Sequence, residues 1–157
     1  MKIIITAVGK TFQQFVSEGL DDYYSRIKHY LPLETHIINE AKSAKNLSIQ
    51  QQKDYEGELI LKSFQAGDYK VLLDEKGQSF SSTGFASFIE KRMQSGIKRL
   101  IFVIGGAYGF SQNVYNAADE KITLSQMTFS HQLVRLIFAE QLYRAMTIIN
   151  KEQYHHS

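Results

Sequence analysis

The chain alternates short unbroken apolar runs with longer stretches whose apolar residues recur every three or four positions. Lys2–Val8 is such a run and predicts a buried first strand. Between 12 and 31 the apolar residues are Phe12, Phe15, Val16, Leu20, Tyr23, Tyr24, Ile27 and Leu31. This is helical spacing, and Pro32, the single proline, ends it. Residues 33–38 predict a second strand, followed by a polar, mobile loop over 39–47. Ser48 is placed to cap a helix running to about Gln65. A turn at Ala66-Gly67-Asp68 leads to a third strand over 69–74 and a loop over 75–82, where Ser81 or Ser82 caps a helix over 83–94. Ser95-Gly96 closes that helix. A fourth strand over 99–104, a glycine-rich loop over 105–110, a short helix over 111–118, a fifth strand over 121–125 and a long helix over 130–150 complete the pattern.

Alternation of this kind predicts an α/β fold, a mainly parallel sheet with helices on both faces, in one domain over 1–157. Ligands of such sheets bind beyond the C-terminal ends of the strands. That directs attention to the loops after Asp74, Ile104 and Ser125.

Composition narrows the class. Hydrophobic residues make up 43% and charged residues 22%, which excludes a disordered chain. There is no cysteine, so disulfides, thiolate zinc sites and cysteine nucleophiles are excluded, and a reducing, cytoplasmic location and a metal-free protein are expected. The apolar run at the N-terminus is too short for a signal peptide and is interrupted by Lys10. No stretch is long enough for a membrane span. The net charge of +2 is uneven: residues 1–75 carry 9 basic and 11 acidic side chains, whereas 76–157 carry 9 basic and 5 acidic ones. A basic C-terminal half suits a polyanionic partner, although an ordinary solvated surface gives the same balance.

Each of the three loops carries candidate chemistry. In Ile104-Gly105-Gly106-Ala107-Tyr108-Gly109 a strand runs into glycines, which supply positive φ and let backbone approach a ligand. Alanine at 107 rules out a dinucleotide fingerprint, and no Gly-Lys-Ser/Thr follows to make a phosphate-binding P-loop. A tight turn accounts for the pattern equally well. Asp74 and Glu75 alternate across a strand, so they read as turn residues rather than as a cooperating pair. In Leu124-Ser125-Gln126-Met127-Thr128-Phe129-Ser130-His131 backbone groups suit a purine edge and Met127 and Phe129 suit a flat ring. Thr128 and Ser130 are also N-cap candidates.

The last helix predicts an apolar stripe through Leu133, Val134, Ile137, Phe138, Leu142, Ala145, Met146 and Ile149. A second patch at Leu136, Ala139, Tyr143 and Thr147 predicts a central position or a subunit interface. Arg135 and Arg144 lie among these patches, with Glu140 placed to pair with Arg144. The chain ends Tyr154-His155-His156-Ser157, either frayed or folded over a site.

Taken in order, Leu73-Asp74-Glu75-x-Gly77-x-x-x-Ser81-Ser82, Val103-Ile104-Gly105-Gly106-x-x-Gly109, Leu124-Ser125-x-Met127-Thr128-Phe129-x-His131-Gln132-Leu133-Val134-Arg135, Glu140-Gln141-Leu142-Tyr143-Arg144-Ala145 and the tail Tyr154-His155 resemble the RlmH family. These are ribosomal large-subunit pseudouridine methyltransferases of the SPOUT class. The resemblance spans the chain. It implies a C-terminal trefoil knot, S-adenosylmethionine as cofactor, a homodimer, and methylation of N3 of a pseudouridine on assembled ribosomes. Leu73, Gly105, Gly106 and the run Leu124, Ser125, Gln126, Met127, Thr128 and Phe129 match the family's cofactor-binding positions. His156 stands where the family commonly has Lys or Arg, and Ser130 where proline is frequent. Candidates for handling the imide proton are His131, His155 and Tyr154, with Arg135 or Arg144 stabilising the imide anion. Two other readings stay open: a noncatalytic RNA- or ribosome-binding module with the same fold, and a nucleotide-binding enzyme unrelated to RNA. Methyl transfer to ribosomes discriminates against the former, and cofactor binding against the latter.

Overall fold

The computed structural model describes residues 1–41 and 46–154. Part of the expected mobile loop, and His155, therefore lie outside the described residues. The elements run β1 (Lys2–Val8), α1 (Gln14–Ile27), β2 (Leu33–Ile38), α2 (Ile49–Ser63), β3 (Tyr69–Ser79), α3 (Ser82–Gln94), β4 (Arg99–Ile104), α4 (Gln112–Ala117), β5 (Glu120–Thr123) and α5 (Leu133–Ile149). The five strands form one sheet in the order β2-β1-β4-β3-β5, and each neighbouring pair is parallel. The α/β fold expected from the apolar pattern is the one observed.

Strand periodicity sorts β1 between two cores. Ile3, Ile5 and Ala7 face α1, α3 and α5, where Phe85, Phe88, Phe102 and Phe138 pack together. Ile4 and Val8 face α2 and α4 with Ile60 and Val114. The Phe102 and Phe138 rings lie 4.8 Å apart with both side chains fully buried. Each such ring contributes about 1.5–3 kcal/mol on removal from water.

Helix ends follow local hydrogen-bonding chemistry. Ser48 and Gln51 form a reciprocal capping box at α2, and the Ser81 hydroxyl accepts from the Gly84 N–H at α3. The first helix is shorter than its apolar spacing predicts. It starts at Gln14, with no side-chain cap, and ends at Ile27, leaving Phe12 ahead of the helix and residues 28–31 as a turn before Pro32. The last helix starts at Leu133 rather than Ser130, although the Ser130 hydroxyl still accepts from the Leu133 N–H at 3.1 Å.

One expectation needs correction and one choice is settled. The third strand does not stop at Asp74. Leu73 and Gln78 both pair with Ile122, so residues 74–77 stand out of the ladder and the strand resumes to Ser79. Of the two positions expected for the second patch on the last helix, the structure shows the central one. Ala139 packs with Val16 and Leu20 of α1, and Leu136, Tyr23 and Tyr24 close around them. The patch is apolar because α1 covers it within the same chain.

Arg135 joins the sheet to the last helix. Its side chain is 2% exposed. It donates to Val8 O at 2.6 Å, Gly9 O at 2.9 Å, Thr11 Oγ1 at 3.0 Å and His131 O at 3.0 Å. Burial lowers its pKa from the ordinary value, but a guanidinium still carries its charge. These bonds use it as a cross-link inside the molecule, so the expectation that Arg135 faces a substrate anion does not hold. Removing it leaves buried carbonyls unpaired and opens a cavity. Arg135→Met is therefore expected to lower unfolding free energy by about 3–5 kcal/mol. Arg135→Lys should recover little of it, because one ammonium cannot span those acceptors. Urea denaturation monitored by circular dichroism measures both, and a loss below about 1 kcal/mol would show the cross-link to be dispensable.

Candidate active site

One cavity of about 480 Å³ opens at the C-terminal ends of β3, β4 and β5, and all three predicted loops line it. From the first come Leu73, Asp74, Glu75 and Lys76. Asp74 is locked there: Oδ1 accepts from the Lys76 N–H at 2.9 Å, and Oδ2 accepts from the Tyr115 hydroxyl at 2.5 Å. Burial, then the Asp74 bond, pushes the Tyr115 pKa up, so the phenol keeps its proton and donates. Tyr115 itself lines the cavity from α4.

The second loop contributes Gly105, Gly106, Ala107, Tyr108 and Gly109. Positive φ occurs at Gly109, at +77°, and not at Gly105. Glycine is favoured at 105 for a different reason. A Cβ there would sit 3.1 Å from the buried Phe110 ring, which packs edge-on against Tyr115. The loop thus folds back on its own aromatic residue and leaves its backbone open to the cavity.

From the third loop come Leu124, Ser125, Met127, Thr128 and Phe129, whereas Gln126 does not line the cavity. Hydroxyls shape this loop. Thr123 Oγ1 donates to Ser125 O at 2.7 Å, and Ser125 Oγ accepts from the Met127 N–H at 2.9 Å. His131 and Val134 close the wall at the start of α5. The His131 ring lies 6.2 Å from that of Phe12, tilted by 58°. Two exposed apolar side chains lie here, Met127 on the cavity wall, 78% exposed, and Phe12 beside His131, 71% exposed.

The remaining candidates lie elsewhere. Arg135 is behind the cavity wall, in the cross-link described above. Arg144 is ten residues beyond Val134, about 15 Å along the helix axis. Its guanidinium donates to Glu140 Oε1 at 2.5 Å and stacks 4.9 Å from the Tyr154 ring centroid, and the Tyr154 hydroxyl donates to the same oxygen at 3.2 Å. Burial raises the Tyr154 pKa, with further contributions from Tyr23 and Glu140. That phenol holds its proton at neutral pH, which speaks against a role as base. Neither Arg144 nor Tyr154 lines the cavity of its own chain.

Among the lining residues that the sequence reading did not single out are Tyr115 and Lys53. Tyr115 stands four residues beyond Ser111 in the short helix after the glycine loop, a weak signal. Nothing local marks Lys53, because its position depends on how α2 packs. Among the described residues no group of His, Asp or Glu side chains converges to hold a metal ion, and no helix is long and apolar enough to cross a membrane.

A family model described as "Predicted SPOUT methyltransferase" matches residues 1–155. Among the curated relatives are proteins named "Ribosomal RNA large subunit methyltransferase H" from Parabacteroides distasonis, 57% identical, Christiangramia forsetii, 54% identical, and Phocaeicola vulgatus, 53% identical. Each alignment covers 156 residues, 99% of this chain and 99% of the relative. With that match over nearly its whole length, and a cavity built from the loops that end β3, β4 and β5, the chain belongs to the SPOUT methyltransferase family.

Proposed function

We propose that this chain transfers the methyl group of S-adenosylmethionine to N3 of a pseudouridine in large-subunit ribosomal RNA, acting on assembled ribosomes in the cytoplasm as a homodimer. The observation that carries this is the convergence of three loops on one cavity in a chain so similar to ribosomal RNA methyltransferases. The cavity volume falls in the usual range for small-molecule sites. Its walls combine apolar side chains such as Leu73, Ile104, Leu124 and Phe129 with backbone of Gly105 and Gly106, which suits a purine nucleoside. The trefoil knot of the class is supported by the course of the chain: from edge strand β5 it returns to fasten α5 against the end of β1.

When bound, the cofactor supplies an electrophilic methyl group. The chain's own residues bind it through loop backbone, exclude water with apolar walls, and align the base nitrogen with that methyl. His131 is the one proton-handling candidate among the described residues that lines the same cavity. A cation against the base oxygens lowers the imide pKa and removes the need for a strong base. Arg144 fits that role only when a second copy presents it, because its own cavity is out of reach. The exposed Met127 on the cavity wall and the exposed Phe12 beside His131, with half-buried Leu133 and Ile137 on the adjoining helix, support a dimer face at the same place. Tyr154 then orients Arg144 through their shared carboxylate, Glu140.

The direct test is incubation with methyl-labelled cofactor and undermethylated ribosomes, with mapping of the modified nucleotide. Label at N3 of a pseudouridine is expected, and no transfer to any nucleotide would overturn the reading. Gly105→Val is expected to abolish S-adenosylhomocysteine binding in calorimetric titration while circular dichroism shows a folded protein, because the added branches drive into Phe110. Near-normal affinity would remove this loop from the site.

The composite site has its own test. Gly105→Val and Arg144→Ala proteins should each be inactive alone. Unfolded and refolded together, they should recover about one quarter of wild-type turnover, since about half the dimers are mixed and each holds one intact site. No recovery, with mixed dimers confirmed by mass, would place Arg144 in the site of its own chain, and full turnover by Arg144→Ala alone would place it outside the reaction.

A further inference from the structure

Helix α2 carries residues that the reading above leaves unused. Glu56 is 4% exposed and makes no ion pair among the described residues. One carboxylate oxygen accepts from Gln52 Nε2 at 3.1 Å. The other lies against the glycine loop, where a Cβ on Gly106 would come within 2.9 Å of it. One residue on, Gly57 packs so closely on Ser111, which precedes α4, that its Cβ would collide with the Ser111 hydroxyl. Burial is the main cause raising the Glu56 pKa. Two adjacent residues thus press α2 onto both ends of the loop from Gly105 to Ser111. The helix forms a wall of the cavity, not a distant cover of the sheet.

Lys53 stands three residues before Glu56, on the same face of the helix, and lines the cavity. It is half-buried and makes no ion pair among the described residues. The neighbouring carboxylates are engaged elsewhere: Asp54 accepts from Gln50, Glu56 from Gln52, and Asp74 from Tyr115 and the Lys76 N–H. Glu75 lines the same cavity without coming within ion-pair distance of Lys53. A partly desolvated ammonium without a counterion is unfavourable until an anion arrives. A compact ammonium on a flexible stem suits an oxyanion as a point charge.

We propose that Lys53 is an oxyanion-binding residue of this site, held over the cavity by the seating of Glu56 and Gly57 on the glycine loop. The oxyanion is either the carboxylate of the cofactor's amino-acid portion or a phosphate of the RNA. The inference rests on the methyltransferase reading above. It adds a binding residue from an element outside the three strand-end loops.

The test uses the full-length protein as Lys53→Met and Lys53→Arg. Calorimetry gives affinities for S-adenosylhomocysteine and for methylthioadenosine, which lacks the carboxylate. Steady-state assays give KM for undermethylated ribosomes at several salt concentrations. Lys53→Met is expected to weaken one interaction by about tenfold or more, with partial rescue by Lys53→Arg. Weaker S-adenosylhomocysteine binding with methylthioadenosine unchanged assigns the carboxylate. Unchanged S-adenosylhomocysteine binding, a raised KM and a salt slope smaller by about one assign the phosphate. Equal loss of both small ligands would mean a displaced loop, and changes within twofold in every measurement would mean an idle lysine; either overturns the proposal. A wild-type protein that binds neither nucleoside nor methylates ribosomes refutes the underlying function, and this inference with it.

Discussion

The buried guanidinium of Arg135 is the interaction on which the arrangement of the site depends. The chain leaves the ladder after Val8, and carbonyls buried without donors are costly. Arg135 supplies the donors for Val8 and Gly9 and adds Thr11 and His131. Gln132 reinforces the same junction, donating to Lys10 O and accepting from the Phe12 N–H. The first turn of α5 is thereby tied to the segment leaving β1. The loop from Leu124 to Ser130, which hangs between β5 and that turn, is held at both ends.

The other two loops are shaped by close approaches rather than by strained backbone. Gly105 gives way to Phe110, Phe110 supports Tyr115, and Tyr115 holds Asp74 at the end of the first half of β3. One chain of contacts therefore runs from the glycine loop to the bulge after Leu73. Such a site is preformed by packing, and its backbone surfaces remain free for a ligand. The polar and charged groups divide by distance. Lys53, Lys76, Asp74, Glu75 and His131 line the cavity, while Arg144, Glu140 and Tyr154 form a separate, mutually satisfied cluster toward the far end of α5. A reaction that needs both sets requires two copies of the chain, in keeping with the exposed Met127 and Phe12 beside the cavity.

By itself the sequence determined the number, order and type of the elements. Apolar runs and helical spacing are properties of adjacent residues, and the caps at Ser48 and Ser81 act within one turn. The same local logic placed the site at the ends of β3, β4 and β5, because a parallel α/β sheet leaves its loops there. The ordered motifs through the chain pointed to the family for the same reason: they are contiguous strings. Tertiary structure decided whatever depends on residues far apart in the chain. Arg135 looked like a substrate ligand until its carbonyl partners, more than a hundred residues away, came into contact with it. The second patch on α5 fitted a central position and an interface equally until α1 was laid across it. Gly105 looked like a site of positive φ, but what favours glycine there is the Phe110 ring close beside it. Lys53 had no local mark at all. A side chain's surroundings are set by which elements pack against it, and that is a property of the folded chain, not of its neighbours in sequence.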